Sequence, residues 1–485
     1  MKTLKNLLDG ITYEVVQGTD ELTINNICWD SRKVTPNSLF ICVKCRNVDR
    51  HDFVLQAIED GAIALVVEHD IKDIPKNITI IKIENTKIAM AAIANSFFEE
   101  PSKHFNLIGV TGTNGKTSVC HLISKILENI GRKVGVIGTI ENNINGFRLK
   151  SEKLNPTTPD SVELQGVFSE MVGEGATDVT IEVTSTALEN YRVHKCDFDI
   201  GVFTNLTQDH LDEHGSMENY KKAKIKLFQM CKLGIINKDD AVSNDIINSA
   251  TCDVITYGID NKADLMAKDI QYSLQSTSFT LQFCGTERAV TINMPGKFNV
   301  YNALAAIACC YFSGFPLDTI ISTFNSITSA KGRFETVSNL KDCLIVVDYA
   351  HTPDALKNTL EAARKLTNNK LILVFGCGGD RDKTKRPIMG EIAGSLADYC
   401  IITSDNPRTE NPSSIIEDIE LGIKRTSCSY YKSENRKKAI HFALTMAVPG
   451  DTVVIAGKGH ENYQIIGENK IHFDDIEVVK EYLIS

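Results

Sequence analysis

No apolar stretch of this 485-residue chain approaches the ~20 residues needed to cross a bilayer, which excludes a membrane-spanning helix. The opening residues, Met1-Lys2-Thr3-Leu4-Lys5-Asn6-Leu7-Leu8-Asp9, meet an acid before any continuous apolar core, so no signal peptide is expected. A basic excess is missing too. The net charge is −10, which argues against a nucleic-acid binder and leaves any anionic ligand to local Lys and Arg and to Mg²⁺. There is no low-complexity tract and no internal repeat. The 14 cysteines are scattered, mostly inside apolar runs (Cys42, Cys309, Cys310, Cys400), and no two Cys-x-x-Cys motifs exist to hold zinc between them. Buried, reduced thiols in a cytosolic protein are the expectation. A chain this long outgrows one core, and about three domains are expected.

What is present begins with Thr111-Gly112-Thr113-Asn114-Gly115-Lys116-Thr117, set between the apolar run Leu107–Val110 and a segment of helical periodicity, Ser118–Ile130. Strand, glycine loop, Lys-Thr and helix form a cradle for nucleotide phosphates. Backbone N–H groups and the helix N-terminus attract the oxygens, Lys116 adds a point charge, and Thr117 offers a hydroxyl to Mg²⁺. Val119, Leu122, Ile123, Ile126, Leu127 and Ile130 follow at helical spacing, the stripe of a helix packed on a sheet. One position departs from the general pattern: Val110 stands five before Gly115, and the upstream glycine is Gly109. ATP is the expected ligand.

Short strand-like runs (Ser38–Val43, Ala62–Val67, Ile78–Ile83) and a helical stretch, Lys87–Phe98, lead to a linker at Glu99-Glu100-Pro101-Ser102-Lys103. Further strands are expected at Val134–Ile140, Val179–Val183 and Ile200–Thr204, then at Leu344–Val347, Leu371–Phe375, Cys400–Thr403 and Val453–Ala456. Helical stretches such as Asp354–Leu366 and Pro412–Ile423 lie between the later ones. The alternation predicts α/β architecture with doubly wound, mostly parallel sheets. Ligands of such sheets bind beyond the carboxyl ends of the strands, where this chain puts its polar motifs. They are Glu182, Asn205 to His210, Asp348 to His351, Gly376 to Asp382, Asp405 to Arg408, and Gly457 to Glu461.

Glu182, with Thr117 and His210, can complete an Mg²⁺ shell on an ATP phosphate; a salt bridge or a helix cap is the plain alternative for Glu182. Lys224 lies three or four residues from Tyr220, Leu227 and Phe228, on the apolar stripe of Met217–Phe228. Snorkelling to solvent, a phosphate contact, and carbamylation to a carboxylate-like Mg²⁺ ligand all remain open for it. Arg381 and Arg408 suit bidentate recognition of a carboxylate, with Pro407 stiffening the turn and Asn406 reading an amino or carboxylate group; surface salt bridges are the alternative. Lys458 and Glu461, flanked by glycines, read as a flexible loop that offers charge to a zwitterion.

Together these motifs resemble the Mur ligase family, ATP-dependent amide ligases of peptidoglycan precursor synthesis, from Asp30-Ser31-Arg32 to Gly457-Lys458-Gly459-His460-Glu461. Thr111–Thr117, Thr157-Thr158, Asp209-His210-Leu211-Asp212, Asp348–Leu356, Gly376–Pro387 and Asp405–Arg408 are its most specific pieces. The resemblance implies three domains: 1–102 for the uridine nucleotide, 103–331 as the central P-loop ATPase, and 332–485 as a Rossmann-like domain for the amino acid. It implies ATP on Gly112, Thr113, Asn114, Gly115, Lys116, Thr117, Ser118, Asn299, Asn302 and Arg333. It puts a UDP-muramoyl-dipeptide on Ser31, Thr157, Thr158, Thr184, Asn190 and Arg192. Lys224 matches the family's carbamylated lysine, which with Thr117, Glu182 and His210 would serve Mg²⁺ as cofactor.

The tetrad Asp405-Asn406-Pro407-Arg408 resembles that of members adding meso-diaminopimelate, with Arg381, Gly457 and Glu461 at matching positions around the amino acid. Diaminopimelate carries a distal carboxylate that a fixed guanidinium satisfies, whereas lysine would face Arg408 with an unpaired ammonium at about 2–5 kcal/mol. The resemblance implies that the dipeptide's D-glutamate γ-carboxylate is phosphorylated and then attacked by the diaminopimelate amine. Small-molecule substrates, no nucleic acid, no membrane span and a monomer are expected. Several positions depart from the family: Thr186 stands where a histidine is usual, Thr184 and Asn190 where serine and glutamine are common, and Cys45 and Arg50 where glycines flank Asp49 and His51. Rival readings are the same ligase using L-lysine, a folylpolyglutamate-synthase-like ligase, and a silent nucleotide-binding scaffold.

Overall fold

The computed structural model describes residues 2–484 apart from 46, 47, 152, 154, 274 and 338–341. The chain divides into two compact units, one formed by Met1–Gly109, Gly131–Gly201 and Lys226–Lys232, the other by Val110–Ile130, Val202–Ile225 and Leu233–Ser485.

In the first unit a five-stranded sheet runs in the order Glu14–Gln17, Thr79–Lys82, Ala62–Val67, Ser38–Ile41, Asn26–Cys28. Its first pair is antiparallel and the others are parallel. Ala62–Val67 is almost wholly buried, as a strand covered on both faces must be. Helix Thr86–Phe97 starts where the Asn85 side chain accepts the N–H groups of Lys87 and Ile88 at 3.1 and 3.2 Å. Cys42 and Cys45 diverge, the first buried and the second exposed. In the same unit Asp178–Glu182 pairs in parallel with Val134–Ile137, which pairs antiparallel with Asn142–Ile144.

The second unit holds a six-stranded sheet ordered Glu335–Val337, Leu344–Asp348, Thr452–Ala456, Leu371–Phe375, Tyr399–Thr403, Ser429–Ser433. All pairs but the first are parallel. Separate apolar clusters cover its two faces. Every strand expected here is found within a residue of its expected bounds. Not expected was a three-stranded antiparallel meander, Leu265–Tyr272, Thr277–Phe283 and Thr286–Ile292. Thr277–Phe283 alternates buried and half-buried residues, and Cys284 and Gly285 turn the chain at φ 49° and 73°, the mirror-image turn favoured between antiparallel strands.

The C-terminal sheet is pinned by a fully buried ion pair. Arg436 donates through Nε and Nη2 to the two carboxylate oxygens of Asp475 at 2.8 and 2.7 Å, and Nη2 also reaches the Ala456 carbonyl at 3.0 Å. Three elements therefore meet on one guanidinium: helices Arg436–Met446 and Asp475–Ile484 and strand Thr452–Ala456. Asp475→Ala leaves that charge buried without its counterion and is expected to cost about 3–5 kcal/mol, read as a lower urea midpoint in equilibrium unfolding.

Candidate active site

The phosphate loop is fixed by close backbone approach. Gly112 and Gly115 have φ of 152° and 88°; a Cβ on Gly112 would fall 1.8 Å from Thr204 Oγ1, and one on Gly115 2.9 Å from Asn302 Oδ1. Strand Asn106–Thr111 leads in, and Lys116, Thr117 and Ser118 open helix Lys116–Asn129. Asn205 accepts the N–H of Thr113 on its carbonyl and that of Asn114 on its side chain, both at 2.9 Å. Thr204 Oγ1 donates to the Asn114 carbonyl at 2.6 Å. On its other side Asn114 donates to Asp354 Oδ2 at 2.9 Å. Lys116 turns its ammonium onto the Gly112 and Thr113 carbonyls, both at 2.8 Å. Arg333 donates to Thr117 Oγ1 at 3.0 Å, with its guanidinium stacked 4.2 Å over the Tyr349 ring. Asn299 and Asn302 are buried and linked at 3.3 Å. The structure thus brings Lys116, Thr117, Asn302 and Arg333 to one loop.

Lys224 does not snorkel. It is 1% exposed on helix Met217–Ile225, with its ammonium 4.5 Å from the Tyr220 ring centroid. Burial and the nearby charge of Lys116 push its pKa well below the usual lysine range, against a smaller opposing pull from Asp209. Tyr220 in turn lies 3.1 Å from the Thr113 hydroxyl, so the helix is registered on the phosphate loop. His210 sits in left-handed backbone at φ 54°. Its pKa is lowered by burial, although Asp209 at 3.4 Å and Glu213 at 3.8 Å pull it up. Burial raises the Asp209 carboxyl, but Lys385 at 3.5 Å and the neighbouring histidines bring it well below the carboxylate range. Lys385 was not singled out from sequence; a lysine opening helix Lys385–Leu396 reads as solvated until the fold buries it. His351 is lowered to about 4 by burial and by Lys385.

Glu182 belongs to the first unit, at the end of strand Asp178–Glu182 and 2% exposed. It accepts the Thr139 N–H at 2.7 Å and the Thr139 hydroxyl at 3.0 Å. The Thr139 hydroxyl also meets Thr157 Oγ1 at 3.2 Å. Thr158 Oγ1 donates to the Glu182 carbonyl at 2.8 Å and lies 3.1 Å from Thr184 Oγ1, and Arg192 Nη1 reaches the Thr158 carbonyl at 2.9 Å. Thr184 caps the short helix Ser185–Glu189. Asn190 donates to the Thr186 carbonyl and accepts from Lys87, both at 2.9 Å. Thr157, Thr158, Thr184 and Arg192 therefore form one cluster with Glu182. Sequence reading missed Lys153, whose ammonium donates to the carbonyls of Gly138 and Thr139; burial lowers its pKa to about 8. Ser31 is buried at the start of the turn Ser31–Lys33, capped by Asp30. In the altered loop nearby, the Arg50 guanidinium lies 5.0 Å from the Trp29 ring centroid.

Three loops converge at the carboxyl ends of the C-terminal sheet. Asp405 and Asn406 are buried, and a Cβ on Gly457 would fall 2.6 Å from Asp405 Oδ2. Asn406 Nδ2 donates to Glu461 Oε2 at 2.9 Å. Arg408 has φ 51° and donates to the Gly379 carbonyl at 2.7 Å. Pro407 presents its carbonyl to Gly379, where a Cβ would meet it at 1.9 Å. Arg381 is exposed and hydrogen-bonded to the Asp380 carbonyl at 2.9 Å. Lys458 corrects the expectation of a flexible charged loop: it is 0% exposed, paired with Glu461 at 3.0 Å. Asp348 is also structural in its contacts, accepting the N–H groups of Phe334 and Ala350 and the Thr359 hydroxyl at 2.6, 2.9 and 3.0 Å.

Known proteins share this architecture. Residues 23–98 match the model described as Mur ligase family, catalytic domain; residues 110–310 match the Mur ligase middle domain; residues 332–459 match the Mur ligase, glutamate ligase domain. The chain is 48% identical over 480 residues to a UDP-N-acetylmuramoyl-L-alanyl-D-glutamate–2,6-diaminopimelate ligase of Clostridium acetobutylicum, covering 99% of both chains. It is 48% identical over 481 residues to a ligase of the same name from Caldanaerobacter subterraneus subsp. tengcongensis, covering 99% of this chain and 98% of the other. A solved structure with that name superposes at a TM-score of 0.71 and 33% identity, covering 100% of this chain and 99% of the other.

Gly112→Ala is expected to weaken ADP binding at least about tenfold and to destabilise the protein by about 1–3 kcal/mol, because the new Cβ meets Thr204 at 1.8 Å. Gly131→Ala, also at positive φ but with nothing within 4 Å, should leave ADP affinity unchanged by calorimetric titration.

Proposed function

The chain belongs to the Mur ligase family, and from that premise we propose that it is the ATP-dependent ligase joining meso-diaminopimelate to UDP-N-acetylmuramoyl-L-alanyl-D-glutamate. A carboxylate oxygen is a poor leaving group, so amide formation begins with transfer of the ATP γ-phosphoryl to the D-glutamate γ-carboxylate, giving an acyl phosphate and ADP. The diaminopimelate amine attacks the acyl carbon, and the tetrahedral intermediate expels phosphate and loses a proton. In our reading residues 1–102 take the uridine nucleotide through Ser31, 103–331 take ATP, and 332–485 take the amino acid. Thr157, Thr158, Thr184, Asn190 and Arg192 hold the dipeptide and orient its γ-carboxylate for phosphorylation. Lys116, drawn off its backbone carbonyls, holds phosphate oxygens, and Asn299, Asn302 and Arg333 hold the nucleotide.

In this reading each residue that would serve Mg²⁺ is judged by the donor it supplies. Thr117 offers a hydroxyl, Glu182 a carboxylate, and His210 an imidazole whose pKa burial lowers. Lys224 fits only after modification, since an ammonium would repel the metal. A buried amine whose pKa is lowered gives up its proton more readily and then adds CO₂, forming an N–C bond and releasing a second proton, and the resulting carbamate is an anionic oxygen donor. Bound there, Mg²⁺ would neutralise charge on the phosphoryl oxygens. This reading puts the enzyme in the cytosol, as a monomer, in the precursor synthesis on which cell shape and division depend.

The choice of amino acid rests on one observation: Arg408 is held at positive φ with its guanidinium anchored to the Gly379 carbonyl at 2.7 Å. A guanidinium so fixed matches the distal carboxylate of diaminopimelate and penalises the lone ammonium of lysine.

Phosphate release with ATP, Mg²⁺ and the UDP-muramoyl-dipeptide should require diaminopimelate. L-Lysine should be slower in kcat/KM by at least roughly 30-fold, the lower end of that penalty. Equal rates with lysine would sink the tetrad reading; silence with both would favour the scaffold. Arg408→Ala is expected to cost most of the preference. For Lys224, ¹³C-bicarbonate should give a carbamate resonance that Lys224→Met abolishes, with turnover falling by about 10²-fold or more.

A further inference from the structure

Lys458 is a buried cation that the proposed chemistry leaves without a role. Its loop is clamped on both sides. A Cβ on Gly457 would fall 2.6 Å from Asp405 Oδ2, and one on Gly459 2.6 Å from the Gly332 carbonyl. Between these glycines the side chain turns inward and is 0% exposed. Burying an ammonium is costly unless its protons are matched. Here Nζ donates to Glu461 Oε2 at 3.0 Å and to Asn406 Oδ1 at 3.2 Å, and the Tyr463 ring centroid lies 5.5 Å away, within cation–π range.

These bonds leave Asn406 one orientation. Its Oδ1 accepts from Lys458 and from the Ile465 N–H at 3.0 Å, so the amide nitrogen points to Glu461, donating to Oε2 at 2.9 Å. Both donors therefore converge on the same carboxylate oxygen, and the rotation of Glu461 is set by a residue with no surface of its own. An ammonium with three protons, two of them on Glu461 and Asn406, is a poor direct ligand for a zwitterion.

We infer that Lys458 is a positioning residue: from beneath the amino-acid site it holds the Glu461 carboxylate and the Asn406 amide in the orientation that receives the substrate's charged end, without touching the substrate. The inference rests on the proposed ligase reading for the identity of that site. It also explains why a lysine stands in the buried floor of a loop whose rim carries the recognition groups.

The test is steady-state kinetics on Lys458→Met, Glu461→Gln and the double variant, with whichever diamino acid the wild type turns over. Lys458→Met should raise KM for the amino acid by about tenfold or more, with KM for ATP and for the UDP-dipeptide within about twofold. Because Lys458 acts through Glu461, adding Lys458→Met to Glu461→Gln should worsen KM by no more than about twofold. Effects that multiply, or equal losses toward all three substrates, would overturn the inference. Should Lys458→Met not fold, Lys458→Gln keeps a donor for Glu461 and should stay within about threefold of wild type in the same KM; a loss as large as that of Glu461→Gln would overturn it. Wild type that uses lysine and rejects diaminopimelate would defeat the substrate assignment and still leave the Lys458 comparison readable.

Discussion

Two hydrogen-bonding systems meet on Asn114. From one side Thr204 and Asn205 bind its backbone; from the other, its side chain donates to Asp354 at 2.9 Å and accepts from Thr352 at 3.3 Å. The phosphate loop is thus held in shape by the loop that follows strand Phe198–Phe203 and by the start of helix Pro353–Leu366. The glycines follow from this: backbone can come this close only where Cβ is absent. So does the position of Lys224, since Tyr220 of its own helix reaches the Thr113 hydroxyl at 3.1 Å. A change at Asn114 would disturb the phosphate loop and the start of helix Pro353–Leu366 together.

The second theme is how an acidic chain, with a net charge of −10, buries cations. Arg436 and Arg386 are matched by carboxylates, Asp475 for the first and Glu410 and Asp418 for the second. Lys458 has Glu461, and Lys385 has Asp209 at a looser 3.5 Å. Lys224 differs in kind. Its close neighbour is the face of an aromatic ring, and a second lysine acts on it from nearby, so its proton is held weakly. Four of these cations have their charge secured by a carboxylate. The fifth is desolvated, and burial and Lys116 hold its pKa well below the usual lysine range.

Glu182 and the threonines around it carry the same logic in neutral form. Thr139, Thr157, Thr158 and Thr184 hand hydrogen bonds around a buried carboxylate, so substitutions that preserve a hydroxyl preserve the network. Thr184 takes part through its hydroxyl. It caps its helix through the Ala187 N–H at 3.2 Å and keeps its contact with Thr158. Thr186 contributes its carbonyl to Asn190.

By itself the sequence determined the parallel strands, the phosphate loop and the placing of polar motifs at strand ends. Local patterns carry that information: strands buried on both faces read as continuous apolar runs, and a helix on a sheet repeats at its own period. The meander around Cys284-Gly285 was not read from the sequence, because its signal, the half-buried alternation of Thr277–Phe283, is weaker than a buried run. What only the tertiary structure decided is the state of each charge. Lys224, Lys385 and Lys458 are the same residue in the sequence. Whether one snorkels, pairs or stands desolvated depends on residues distant in the chain: Asp209 for Lys385, Asn406 for Lys458, Lys116 for Lys224. Solvation and Coulomb energy are set by what surrounds a group in space, and that surrounding is assembled only when the chain folds.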